Sequence, residues 1–198
     1  MDALKQLNNE QHLAVSSTEP YNLVLAGAGS GKTRVLVHRI AWLVQTAQCS
    51  TRQILAVTFT NKAAAEMRSR TSRLLAQDVR PLWIGTFHGL THRLLRQHWN
   101  DAGLPEKFQI LDQDDQLKTI RRTIRSLELD EKAFPAKQAQ WFINHQKDQG
   151  LRAHNIDSDA DENLVRIYAS YQANCDASGL VDFAEILLRA FELLKNIL

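Results

Sequence analysis

The sequence predicts an α/β fold in two parts, an incomplete parallel sheet followed by a mainly helical subdomain, and three observations carry that reading. An apolar run, Leu23-Val24-Leu25-Ala26, enters a glycine-rich turn that ends in Lys32-Thr33. The succession of apolar run and amphipathic helix then recurs twice, from Gln53 to Arg70 and from Leu82 to His98. Beyond about residue 89 the pattern becomes a series of helical segments punctuated by glycine and proline.

Taken in order, Leu4 to Val15 places Leu4, Leu7 and Gln11 on one side, with Ala14 and Val15 a turn further on, which predicts a short helix. On chemistry alone Gln11 is a plain surface amide, although its two-sided head also suits an adenine edge. Next, Ala26-Gly27-Ala28-Gly29-Ser30-Gly31-Lys32-Thr33 reads as a phosphate cradle. Closely spaced glycines let successive N–H groups turn inward toward anionic oxygens, and the following helix adds its partial positive charge. Lys32 then reaches the outer phosphates and the Thr33 hydroxyl ligates magnesium. The usual pattern is G-x-x-x-x-G-K-[ST], and here its first glycine is Ala26. A glycine turn joining strand to helix without a ligand is the plain alternative, but strand, loop, Lys-Thr and helix all stand in the required order.

Gln53 to Asn61 reads as the second strand and Lys62 to Arg70 as its helix, capped by Thr60 or Asn61. Leu82 to Gly85 reads as the third strand, Thr86 to Gly89 as its end, and Leu90 to His98 as a helix. Right-handed crossovers make such strands parallel, so their carboxyl ends share one rim, where ligands of open α/β sheets bind. In the second half, Phe108 to Leu111 is a candidate strand. Asp112 to Leu127, Pro135 to Gln149, Glu162 to Ala177 and Asp182 to Leu194 are helical, with breaks at Gly150 and Gly179 and an Asp182/Glu185 capping pair.

The bulk properties narrow the classes. A hydrophobic share of 44% fits a folded chain, and a net charge of +2 leaves any nucleic-acid contact to local distribution. No apolar run approaches the ~20 residues of a membrane span, and residues 1 to 9 lack a signal-peptide core. Cys49 and Cys175 are isolated, which argues for reduced thiols. A cytoplasmic protein with no membrane partner is expected. Nucleotide hydrolysis also calls for an acidic residue at the end of another buried strand. Asp130-Glu131 follows a helical segment, and Asp161-Glu162 follows the polar Asp157-Ser158-Asp159-Ala160, so neither qualifies. With an edge of the sheet left to be covered, the chain reads as the front part of a larger protein.

Four motifs carry a family resemblance. They are Leu7-Asn8-x-x-Gln11-x-x-Ala14-Val15, Ala26 to Arg34, Ala56-Val57-Thr58-Phe59-Thr60-Asn61-Lys62-Ala63-Ala64 and Gly85-Thr86-Phe87-His88-Gly89. In this order they resemble the opening motifs of superfamily-1 DNA helicases of the bacterial UvrD, PcrA and Rep group. The likeness continues through Gln109 to Asp112 and Gly179 to Glu185. The resemblance implies an ATP- and Mg2+-dependent motor moving 3′ to 5′ on single-stranded DNA and separating duplexes. It also implies work in excision and mismatch repair with other repair proteins, near the nucleoid. Gln11 then resembles the adenine-reading glutamine and Arg34 the arginine beside base and phosphates. Phe59, Thr60 and Asn61 resemble one single-strand-binding motif, and Thr86, Phe87 and His88 the next. Residues 1–88 correspond to the start of a P-loop, RecA-like domain and 89–198 to its inserted helical subdomain. The family's acidic motor motif and second RecA-like domain have no counterpart here, so this stretch alone is expected to be inactive.

Individual residues also have plainer readings. Phe59 and Phe87 could be core aromatics, but their place at strand ends beside Thr, Asn and His favours base stacking. His88 and His92 have the spacing of a metal pair without a third ligand. Arg93, Arg96, Arg121, Arg122 and Arg125 read as solvated faces with some capacity for phosphates, and Trp42, Trp83, Trp99 and Trp141 as packing residues. A P-loop kinase for small molecules or nucleotides is the alternative function.

Overall fold

The computed structural model describes residues 3–157 and 160–197, and the chain divides into two units, Met1–Leu90 and Thr91–Leu198. In the first unit, helix α1 covers Asn9–Ser16, α2 Lys32–Gln45 and α3 Asn61–Leu75, with strands β1 at Leu55–Thr58 and β2 at Trp83–Thr86. Helix α4, Phe87–Gln97, begins in this unit and runs on into the next. Strands β1 and β2 pair in parallel, from Leu55 opposite Trp83 to Thr58 opposite Thr86. Their crossover is α3, whose N-cap is Thr60, with its hydroxyl accepting from the Ala63 N–H at 3.1 Å. Val37, Ile40, Ile54, Ala56, Met67, Val79, Leu82 and Ile84 form the core between the sheet and α2 and α3.

One expected strand is not formed. Leu23 to Ala26 belongs to no strand, and Leu23 and Leu25 are each 84% exposed. A strand exists only as a member of a ladder, and the β1–β2 sheet is two-stranded. The three strand-to-helix units expected at one rim are therefore two. Helix α1 is also shorter than the apolar pattern suggests, because Gln6 at φ 71° turns the chain and Asn8 caps the helix.

The second unit holds α5 (Gln113–Ser126), α6 (Ala136–Asp148), α7 (Glu162–Ser178) and α8 (Phe183–Ile197). Two-residue strands β3 (Gln109–Ile110) and β4 (Leu180–Val181) pair in parallel. Asp112 and Asp161 cap α5 and α7 through their side chains. Ile120, Ile124, Ile143, Ile167, Tyr168 and Tyr171 form one core, and Leu95, Leu104, Phe108, Val181, Ile186 and Leu193 another. Of the polar stretch Asp157 to Ala160, Ser158 and Asp159 lie outside the described residues.

Asp182 does cap α8, accepting from the Glu185 N–H at 2.8 Å, but Glu185 is not the reciprocal half of a capping box. Its carboxylate lies 2.9 Å from Lys147 Nζ, 2.6 Å from Arg152 Nη1 and 2.7 Å from Arg189 Nε. The Lys147 contact is an ion pair to Glu185 Oε2. Burial by itself would raise the Glu185 carboxyl, yet the three cations outweigh it and hold it down to about 2. Trp141 is likewise no packing residue: it is 65% exposed and stacks on His145, ring centroids 5.0 Å apart. Arg96 is committed within its own unit, with its guanidinium 3.9 Å over the Phe108 ring and donating to the Phe108 carbonyl at 2.6 Å. Cys49 and Cys175 are free thiols.

Candidate nucleotide and nucleic-acid site

The glycine-rich segment forms an exposed loop whose last residue, Gly31, is the N-cap of α2. Gly29 and Gly31 sit at φ 76° and 90°, a region that residues with a Cβ adopt only under strain. Gly27 has open space where a Cβ would stand, so the backbone there remains approachable. Lys32 opens the helix, and its ammonium donates to the Ala26 carbonyl at 2.7 Å and to the Gly27 carbonyl at 2.6 Å. Ser30 Oγ also donates to the Gly27 carbonyl, at 2.7 Å. Thr33 is exposed in the first turn of α2 and offers a hard oxygen of the type magnesium takes. The N-terminal turn of α2 lacks any acidic side chain, so nothing there opposes an anion at the helix end. A cation, a free hydroxyl and an approachable backbone together fit a magnesium-bound polyphosphate.

Gln11 comes to this loop from α1. Its Nε2 donates to the Ser30 carbonyl at 3.3 Å. Arg34 donates to the Gln6 carbonyl and lines a cavity of about 510 Å³ with Gln6, His38, Arg70 and Arg73. Arg70 and Arg73 were not singled out in the sequence. Their i, i+3 spacing on α3 was the available signal, since it puts two guanidinium groups on one helix face.

The second group of residues stands at the carboxyl ends of β1 and β2. Thr58 and Thr86 are the last paired residues of the register, so Phe59-Thr60-Asn61 and Thr86-Phe87-His88 emerge side by side. The Thr86 hydroxyl lies 3.5 Å from Asn61 Oδ1 and accepts from the Gly89 N–H at 3.2 Å, which fixes the first turn of α4. Phe59 is 99% exposed and Phe87 66%, so neither is a core aromatic. His88 is exposed. The imidazole of its helical neighbour His92 accepts from Arg96 Nε at 3.1 Å, and burial followed by the Arg96 charge holds it below the usual histidine range. Among the described residues no three His, Cys, Asp or Glu side chains converge as a metal site, and no helix is long and apolar enough to cross a membrane.

Comparison with known proteins extends the picture from these residues to the whole chain. Residues 7–197 match the UvrD/REP helicase N-terminal domain. The chain is 56% identical over 196 residues to DNA helicase II of Escherichia coli (strain K12), covering 98% of this chain and 27% of that protein. It is 52% identical over 202 residues to DNA helicase II of Haemophilus influenzae, at 98% and 28% coverage. Against the ATP-dependent DNA helicase PcrA of Leuconostoc citreum the identity is 40% over 195 residues, at 96% and 26% coverage. The chain thus spans about a quarter of the length of these relatives. Because the family match runs through both units and not through the glycine-rich loop alone, the chain belongs to the family of UvrD/REP helicase N-terminal domains.

Proposed function

We propose that this chain is the ATP- and single-strand-binding part of an ATP-dependent DNA helicase that moves 3′ to 5′ on single-stranded DNA and opens duplexes. In this reading residues 1–88 begin a RecA-like domain and 89–198 form its inserted helical subdomain. Ala26 to Arg34 hold the triphosphate, Lys32 neutralises charge building on the outer phosphates, and Thr33 holds magnesium. Gln11 reads the base and Arg34 flanks it. Bases of the strand stack on Phe59 and Phe87, while Thr60, Asn61, Thr86 and His88 supply polar contacts to its backbone. Excision and mismatch repair in the bacterial cytoplasm, at the nucleoid and with other repair proteins, is the setting that belongs to this proposal; the names of the relatives support its DNA helicase part.

The observation that carries this reading is the pair of exposed aromatics immediately beyond the last β1–β2 rung. A phosphate loop alone is equally compatible with a kinase, but a kinase has no use for two solvent-facing rings on neighbouring strand ends. Binding of fluorescent oligo-dT by the full-length protein tests it directly. Binding should weaken as salt rises, with a slope of roughly 0.7 per phosphate neutralised, and should fall when Phe59 is replaced by alanine. Affinity that ignores both salt and Phe59→Ala would sink the helicase reading.

A further inference from the structure

Three polar side chains of α2, Arg34, His38 and Gln45, stand at i, i+4 and i+11 and so share one face of the helix. All three are committed to the backbone of one short turn, Ala3 to Gln6. His38 Nδ1 donates to the Ala3 carbonyl at 2.6 Å, and Gln45 Oε1 accepts from the Ala3 N–H at 3.1 Å. Ala3 is thus held at both its N–H and its carbonyl, and it is buried, as is His38. A buried carbonyl left without a donor is costly, so the His38 bond fixes where the turn lies on α2. The third side chain reaches the other end of the turn, where Arg34 donates from Nη2 to the Gln6 carbonyl. Gln6 takes a left-handed φ of 71°, which a residue with a Cβ keeps only where its surroundings impose it.

Arg34 lines the cavity of about 510 Å³ that Gln6, His38, Arg70 and Arg73 also line. Its guanidinium carries five N–H donors in a planar fork, and the Gln6 carbonyl engages one end of that fork, which orients the rest. Without that contact the long side chain samples many rotamers, and a ligand has to order it on binding. We infer that His38 is a positioning residue for nucleotide binding: it pins the Ala3–Gln6 turn on α2, and the last carbonyl of the turn aims the Arg34 guanidinium at the ligand in that cavity. The inference rests on the nucleotide-binding reading of Arg34 and deepens it, since a histidine whose hydrogen bond goes to the turn and not to the ligand then sets how well the nucleotide is held.

The test is steady-state ATP turnover by the full-length protein with single-stranded DNA present, alongside thermal melting. Arg34→Ala should raise KM for ATP roughly tenfold or more, the weight of hydrogen bonds from a charged donor. His38→Ala should raise it roughly fivefold, a fraction of that loss, and act on KM rather than kcat. His38→Asn, which offers an N–H at the same reach as Nδ1, should restore KM. Gln45→Ala, a change at an exposed position, loosens the same turn without disturbing the core and should move KM in the same direction. In the Arg34→Ala background His38→Ala should add nothing further, since its effect passes through the arginine. If Arg34→Ala leaves KM unmoved, the nucleotide role of Arg34 falls and the inference with it. If Arg34→Ala raises KM while neither His38→Ala nor Gln45→Ala does, the positioning role of His38 falls alone. A KM rise that persists undiminished in the double variant, or a His38→Asn protein that recovers the parent's melting curve without its KM, also overturns the inference, because either marks His38 as a stabiliser of the turn and nothing more.

Discussion

Thr58 and Thr86 form the final rung of the β1–β2 ladder, so the next residue on each strand, Phe59 and Phe87, leaves the sheet beside the other. Burial does not account for either ring, since Phe59 is almost wholly in solvent. Each of Phe59→Ala and Phe87→Ala should cost about 1–3 kcal/mol of single-strand affinity, the usual worth of a base stacked on an aromatic ring. Phe59→Ala should leave unfolding within about 0.5 kcal/mol of the parent, as exposed substitutions do. Anisotropy of labelled oligo-dT and thermal melting separate the two effects. A variant that melts early but binds normally would place Phe59 in a structural role.

The ammonium of Lys32 is the only side-chain cation that the structure shows bound to the loop carbonyls of Ala26 and Gly27 among the described residues. Both bonds are exposed, so their loss costs little folding energy. Lys32→Ala should remove ATP turnover by the full-length protein while its circular dichroism and melting curve stay unchanged. Normal turnover in that variant would exclude the assigned role.

Legibility in the sequence followed the range of the forces involved. Thr60 announced its helix because a cap acts within three residues, and the structure shows its side chain accepting from the backbone beyond it; Asp112 and Asp161 cap α5 and α7 in the same way, although the sequence reading gave them no such role. The glycine-rich turn into α2 was legible for the same reason, with Gly31 at the N-cap. The strand expected at Leu23 to Ala26 was not formed, because apolarity records a preference for cover and says nothing of whether a partner strand is there to pair. Strand β4 has only two residues, too few for any periodicity. The cluster of Lys147, Arg152, Asp182 and Glu185 joins residues up to 38 positions apart (147 to 185), and spacing along the chain carries no sign of such a meeting. Glu185 read as a local capping partner because the nearest explanation for an acid three residues after Asp182 is the helix start.

Glu185 gives a pH dependence with a defined sign. Its folded carboxyl is held down to about 2, against an ordinary value of 4.5. A depressed carboxyl contributes stability that is fully present above its unfolded value and is lost as pH falls through its folded value. The second unit should therefore weaken progressively from about pH 4.5 toward pH 2. Glu185→Gln should be less stable at pH 7 and flatter across that window. Urea unfolding read by amide exchange in α6 and α8 at several pH values measures the difference. Parallel pH curves for parent and variant would dismiss Glu185 as the source.

Lys147 is the buried counterpart of that acid. Its side chain is 1% exposed and its ammonium lies 2.7 Å from Asp182 and 2.9 Å from Glu185, with the Tyr168 and Tyr171 rings 5.7 and 5.3 Å away. Glu185 keeps Arg152 and Arg189 if the lysine is removed, but Asp182 keeps no cation, only the Tyr171 hydroxyl at 2.8 Å and the Glu185 N–H. Lys147→Met should thus destabilise the second unit by about 3–5 kcal/mol, the cost of leaving one member of a buried pair unmatched. Replacing Asp182 as well by asparagine removes the stranded charge, so Lys147→Met with Asp182→Asn should cost less than the two single changes added together. Unfolding free energies for the four proteins give a coupling on the order of 0.5–3 kcal/mol if the pair acts as a unit. Strict additivity would mean that the two groups are stabilised independently, Asp182 by the tyrosine and the helix end and Lys147 by Glu185 alone.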